Sequence, residues 1–95
     1  MFEDKTPQER YMIVNDFLRN HETAVITFAK KDGTIRELFG TTDSHFLPER
    51  ALDEHHKTKL VDWETFTIWD LEADGWRAFK TANLIKIEGV EGDSV

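Results

Sequence analysis

Phe66 to Val90, FTIWDLEADGWRAFKTANLIKIEGV, is the stretch whose reading decides the fold. From Glu64 to about Asp70, β-branched and aromatic residues alternate with polar ones, as a half-buried strand requires. Gly75 to Thr81 reads the same way, with Leu71, Glu72, Ala73 and Asp74 between the two runs. Setting Asp70 opposite Gly75 makes those intervening residues a hairpin loop. It also pairs Phe66 with Phe79 and Ile68 with Arg77, and puts Trp69 against Trp76 on the other face. Thr81 to Leu84 suits a single 3₁₀ turn. Ile85 to Val90 alternates as a last short strand, and Glu91 to Val95 is expected to fray. Strand, turn, strand, break and strand make the closing half of a small β-barrel.

Upstream, Thr23 to Lys30 (TAVITFAK) places Ala24, Ile26 and Phe28 on one face of a strand. Lys31-Asp32-Gly33 follows, and Gly33 supplies the positive φ that closes a three-residue hairpin loop. A second strand runs from Thr34 to about Thr41. With Lys30 opposite Thr34, Ile26 faces Leu38, Thr27 faces Glu37, and Val25 meets Phe39 on the outside. That partly apolar outer face calls for a cover, and the amino-terminal helix is the nearest candidate. The helix is announced by Thr6-Pro7-Gln8-Glu9, a capping box with proline at the first helical position. From Pro7 to about Arg19, Tyr11, Val14, Phe17 and Leu18 recur at helical spacing. Between Thr42 and Trp63 lies a long insertion, in which Pro48 to about Lys57 is expected to form a short helix. The expected architecture is therefore mainly β (α+β): one domain over 1–95, with a helix at 7–19 and a five-stranded small barrel at 23–90 interrupted at 42–63, an order of elements that resembles the SH3-like and Sm-like barrels. Five short strands cannot bury both faces of an open sheet at this size, so the sheet should curl.

Composition narrows the function classes. Seven Phe, three Trp and one Tyr in 95 residues supply much of the one modest core such a chain can build. With 19 acidic against 12 basic side chains, the net charge of −7 argues against a domain held on duplex DNA mainly by phosphate neutralisation, although a local basic patch is compatible with it. There are no cysteines, hence no disulfide framework and no thiolate chemistry. The start of the chain, MFEDKTPQER, lacks the basic and apolar regions of a signal peptide, and no apolar run is long enough for a membrane span. The expectation is a soluble protein of the cytoplasm, with no cofactor.

The hairpin AVITFAKKDGTIRELFGTT (Ala24 to Thr42), the Leu47-Pro48 pair and above all TIWDLEADGWRAFKTANLIKI resemble the phage-associated Sm-like SH3-barrel family called WYL-2, related to the WYL domain. The likeness covers roughly residues 23 to 90. Trp76-Arg77-Ala78-Phe79-Lys80, followed by the apolar pair Leu84-Ile85, is similar to the segment with which WYL-type barrels enter their last strand. The resemblance implies a phage or prophage origin, a small barrel, and a family whose members mostly lack an assigned activity. WYL domains proper are associated with ligand or nucleic-acid sensing, which would transfer only to Arg77 and Lys80. Where related sequences carry an acidic and a basic residue before the final apolar pair, this chain has Ala82 and Asn83, one cation fewer for nucleic acid.

Three groups of residues are candidates for function. Trp69 and Trp76, flanked by Asp70 and Glu72, form a cross-strand aromatic pair suited to anchoring a protein partner; packing beneath a helix or loop explains the pair equally well. Arg77 and Lys80, with Arg36 nearby if the hairpins pack as in a small barrel, are suited to phosphate. The plainer reading pairs Arg77 with Asp70 and leaves Lys80 in solvent. His45, His55 and His56, with Asp43, Asp53 and Glu54, resemble a metal set in composition only. Adjacent histidines diverge on a helix or a strand, and no HxxxH spacing occurs, so a solvated loop and no metal site is expected. Ser44 beside His45 is adjacency without triad geometry, and no catalytic residue is assigned. The leading functional reading is a non-enzymatic phage barrel that binds a host protein through Trp69, Trp76, Asp70 and Glu72. The alternative is an Sm-like binder of RNA or single-stranded DNA using Arg36, Arg77 and Lys80.

Overall fold

The computed structural model describes residues 2–43, 46–48 and 62–89. A helix, α1 (Pro7–His21), precedes β1 (Thr23–Ala29), β2 (Ile35–Thr41), β3 (Thr65–Asp70), β4 (Gly75–Lys80), a 3₁₀ turn (Thr81–Asn83) and β5 (Leu84–Glu88). The strands form one five-stranded sheet in the order β4-β3-β2-β1-β5, with antiparallel pairing throughout. The expected Pro48 to Lys57 helix falls almost wholly outside the described residues.

Both hairpins adopt the register that side-chain alternation demands. Ile26 lies opposite Leu38, Thr27 opposite Glu37 and Val25 opposite Phe39. Phe66 lies opposite Phe79, Ile68 opposite Arg77 and Trp69 opposite Trp76. Gly33 has φ +88° in the first turn, where its lack of Cβ removes the steric penalty. In the second, the Oδ1 of Asp70 accepts the backbone N–H groups of Glu72 and Ala73, both at 2.9 Å, which folds the turn over its own first residue. Between the hairpins the contact is brief: β2 meets β3 only at Gly40–Asp70 and Thr41–Trp69. A Cβ on Gly40 would lie 2.8 Å from side-chain carbons of Ile68 and of Leu38, so glycine is what makes room for these two core side chains where the strands pair.

Curling brings the inner residues of distant strands together. Phe28 of β1 stacks on Phe79 of β4 at 5.2 Å, and Phe79 leans on Phe66 at 5.8 Å. Among the described residues no ladder joins β4 to β5, so the tube closes through these rings and through the 3₁₀ turn. The helix does not cover the outer face of the first hairpin, as its position in the chain suggested. Val14, Phe17 and Leu18 instead enter the same cluster as Ala24, Ile26, Phe66, Ile68 and Ile87, so α1 plugs the inside of the curl. Apolar burial drives that choice, because the inner residues offer a larger contiguous surface than Val25 and Phe39.

The capping box is formed: Thr6 N–H donates to Glu9 Oε1 at 3.0 Å, and Glu9 N–H donates to Thr6 Oγ1 at 3.1 Å. Thr6→Ala is expected to cost about 1 kcal/mol, read from thermal unfolding at neutral pH. The Thr6 backbone bond, with the Thr6 side chain second, holds the Glu9 carboxyl below its ordinary value. A lowered folded pKa stabilises above the unfolded value and loses that stabilisation as pH falls through the folded one. The stability difference between the parent chain and Glu9→Ala should therefore shrink on acidification through the carboxylate range, and a difference independent of pH would refute the assignment.

A cationic groove at the barrel seam

Asp70 ends β3 facing inward, with β2 on one side and β4 on the other. Its residue exposure is 3%, yet it carries a carboxylate. While Oδ1 is committed to the turn, Oδ2 lies 3.6 Å from Arg36 Nη2 and 3.9 Å from Arg77 Nε. Arg36 (opposite Phe28) and Arg77 (opposite Ile68) share the inner parity of the pleat, so the apolar lining of the tube ends in this three-residue polar cluster. The expected Arg77–Asp70 pair is present, and Arg36 joins it. Both arginine side chains remain about half exposed, at 41% and 53%, so neither ion pair adds much stability.

The same arginines line a groove of about 340 Å³ between the end of β1 and β4. Its floor is Phe28, Leu38 and Phe79; its other described lining includes Lys30, Lys31, Arg36, Arg77 and Lys80, with no carboxylate among them. In a chain with 12 Lys and Arg against 19 acidic residues, five cations in one depression are a concentration of charge that composition hides. Lys80 is also tied to β3, its Nζ donating to Thr65 Oγ1 at 3.2 Å. Of these residues, Arg36, Arg77 and Lys80 were anticipated. Lys30 was read only as the end of the first strand and Lys31 only as a turn residue, and the signal that would have found them is the curl that carries the first hairpin's tip to β4.

The four residues expected on a partner-binding face separate. Trp76 is half-buried and Glu72 exposed, but Trp69 is 1% and Asp70 3% exposed, so neither of the latter can meet a partner in this state. The Trp69 and Trp76 rings do meet, edge to face at 5.3 Å and 87°. The pairing was anticipated, but its outward presentation is corrected: alternation assigns a side chain to a face without specifying whether that face is open. Ser44, His45, Asp53, Glu54, His55 and His56 lie outside the described residues. Among the described ones, no group of three or more His, Cys, Asp or Glu could hold a metal ion. No described helix is long and apolar enough to cross a membrane.

The helix, the five-stranded curl and the order of its turns are those of an Sm-like barrel, and a family model described as WYL_2, Sm-like SH3 beta-barrel fold, matches residues 11–85. The chain belongs to this WYL_2 family. An uncharacterized 11.5 kDa protein in the Gp31-cd intergenic region of Enterobacteria phage T4 is 31% identical over 67 residues, which cover 70% of this chain and 66% of the phage protein. The chain thus spans slightly under two thirds of that relative's length. No solved structure matches. The WYL_2 match takes in α1 from Tyr11 onward, all of β1 to β4 and the start of β5, so every described residue lining the groove lies inside it.

Proposed function

We propose that this WYL_2 chain is a phage-encoded, non-enzymatic binding module of the host cytoplasm whose working surface is the cationic groove, and that its ligand is a single-stranded nucleic acid. The observation behind this is the convergence of Lys30, Lys31, Arg36, Arg77 and Lys80 in one depression of an otherwise acidic chain. Segregated charge of that kind attracts a polyanion locally while the remaining surface repels its non-specific approach. Phe28 and Phe79 are buried against each other, at 8% and 4% exposure, so they offer bases no stacking platform. Recognition would run through phosphates and be nearly blind to sequence.

Binding of a host protein loses ground on the same geometry. Without Trp69 and Asp70, the proposed face retains Trp76 and Glu72, whereas a stable protein interface uses roughly 20 to 30 residues a side.

Fluorescence anisotropy with labelled oligo(dT) tests the proposal. If all five cations are neutralised by the strand, affinity should fall about a hundredfold between roughly 50 and 200 mM salt, from a slope of about −0.7 per contact. Alanine at Arg36, Arg77 or Lys80 should weaken binding and flatten that slope, each by about one contact. No binding at the lower salt concentration would defeat the proposal.

A further inference from the structure

We propose that Arg36 and Arg77, held as a pair by Asp70, form a receptor for one phosphate monoester, so that the groove takes the phosphorylated end of a strand rather than its interior. This rests on the nucleic-acid reading above and narrows it to a chemical group.

The two guanidiniums come from strands on either side of β3 and approach the same oxygen, Asp70 Oδ2, at 3.6 and 3.9 Å. Left alone, two like charges at this spacing would splay into solvent; the buried carboxylate between them holds them close. Asp70 cannot swing away, because its Oδ1 is fixed by the N–H groups of Glu72 and Ala73. Each guanidinium has five N–H donors and offers one edge to Asp70, and its exposure leaves the others available to the groove. Preorganised forks of this kind match phosphate oxygens. The local charge is one positive in excess, two arginines against one aspartate. A phosphate monoester, with about −1.5 to −2 charge and three acceptor oxygens, makes fuller use of it than an internal diester with one charge and two free oxygens.

The boundary of the groove argues for an end. A second hollow of about 500 Å³ shares Lys30, Arg36 and Leu38 with the first but is also lined by Glu37, Asp70 and Glu72. A backbone continuing past Arg36 would press its next phosphate against the exposed carboxylates of Glu37 and Glu72. A strand that terminates at the arginine pair avoids them.

Anisotropy with oligo(dT) labelled at its 3′ end, with and without a 5′-phosphate, reads this directly. The phosphorylated strand should bind at least about tenfold tighter, the yield of one added charge-assisted hydrogen bond. Arg36→Lys and Arg77→Lys keep the charge and lose the fork; each should weaken both strands but the phosphorylated one more, bringing the ratio near one. Asp70→Asn keeps the Oδ1 acceptor for the turn and removes the charge facing the arginines. It should also reduce the ratio, whereas a merely structural Asp70 would weaken both strands alike. Competition by thymidine 5′-monophosphate identifies the source of the group. Affinity equal to that of the phosphorylated strand points to a free nucleotide and weaker affinity to a strand end, and both uphold the receptor. Equal affinity for the two strands overturns the receptor and leaves the groove as a general phosphate track. Failure of both strands to bind overturns the receptor and the nucleic-acid reading together.

Discussion

Arg10→Ala should lower stability by about 3 kcal/mol, which for a domain of this size is roughly 12 to 24 °C in Tm. The guanidinium of Arg10 donates to four backbone carbonyls: Nε to Lys5 at 3.1 Å, Nη1 to Thr81 at 3.1 Å and Ala82 at 2.6 Å, and Nη2 to Phe2 at 2.5 Å. Three of the four bonds are partly buried. They tie the amino-terminal turn, the first turn of α1 and the 3₁₀ turn into one junction. That last turn closes the seam between β4 and β5, where no ladder does so. Truncation would remove one donor from each of four carbonyls, of which those of Phe2 and Thr81 keep the backbone N–H groups of Lys5 and Leu84, and would loosen Phe2, which is 3% exposed and part of the core cluster. Since small domains hold about 5 to 15 kcal/mol in total, this one side chain decides a large fraction. Thermal unfolding followed by circular dichroism measures it. Arg10→Lys should recover about half, because a point charge reaches one or two of the four carbonyls. A loss below about 1 kcal/mol would mean that water replaces the guanidinium at no cost.

Nothing in the residue pattern announces Arg10, and the reason is physical. Its partners are main-chain carbonyls as far as 72 positions away, and a carbonyl has no side-chain signature. The register of both hairpins, by contrast, was legible from alternation and loop length alone, since a slip of one residue would have turned Ile26, Leu38, Phe66 and Ile68 out to water. The capping box was legible for the same local reason. The Asp70 cluster lies between these cases. Its pairing with Arg77 follows from the hairpin register, but Arg36 reaches it only because β2 and β3 cross at Gly40. A two-residue contact between strands on either side of a long insertion leaves no period to read. The groove inherits that difficulty: its cations come from the first hairpin's tip, from β2 and from β4, and only the curl brings them together.

Trp69→Ala is expected to be the other severe variant, at about 3 to 5 kcal/mol, with Trp76→Ala costing about 1 kcal/mol. The two rings share a face and touch at 5.3 Å, so each variant forfeits the same edge-to-face contact, worth about 0.5 to 1.5 kcal/mol. What separates them is burial, since Trp69 is 1% exposed and Trp76 only half-buried. A double-mutant cycle in urea should therefore return a coupling near the value for one aromatic pair, with the remainder assigned to Trp69 alone. Comparable losses at the two positions would mean that Trp69 is not enclosed in solution and would restore the pair as an exposed binding face. If the asymmetry holds, lost partner binding in a Trp69 variant reports unfolding. The aromatic contribution to any protein interface must then be judged from Trp76 alone, in a chain whose circular dichroism matches the parent.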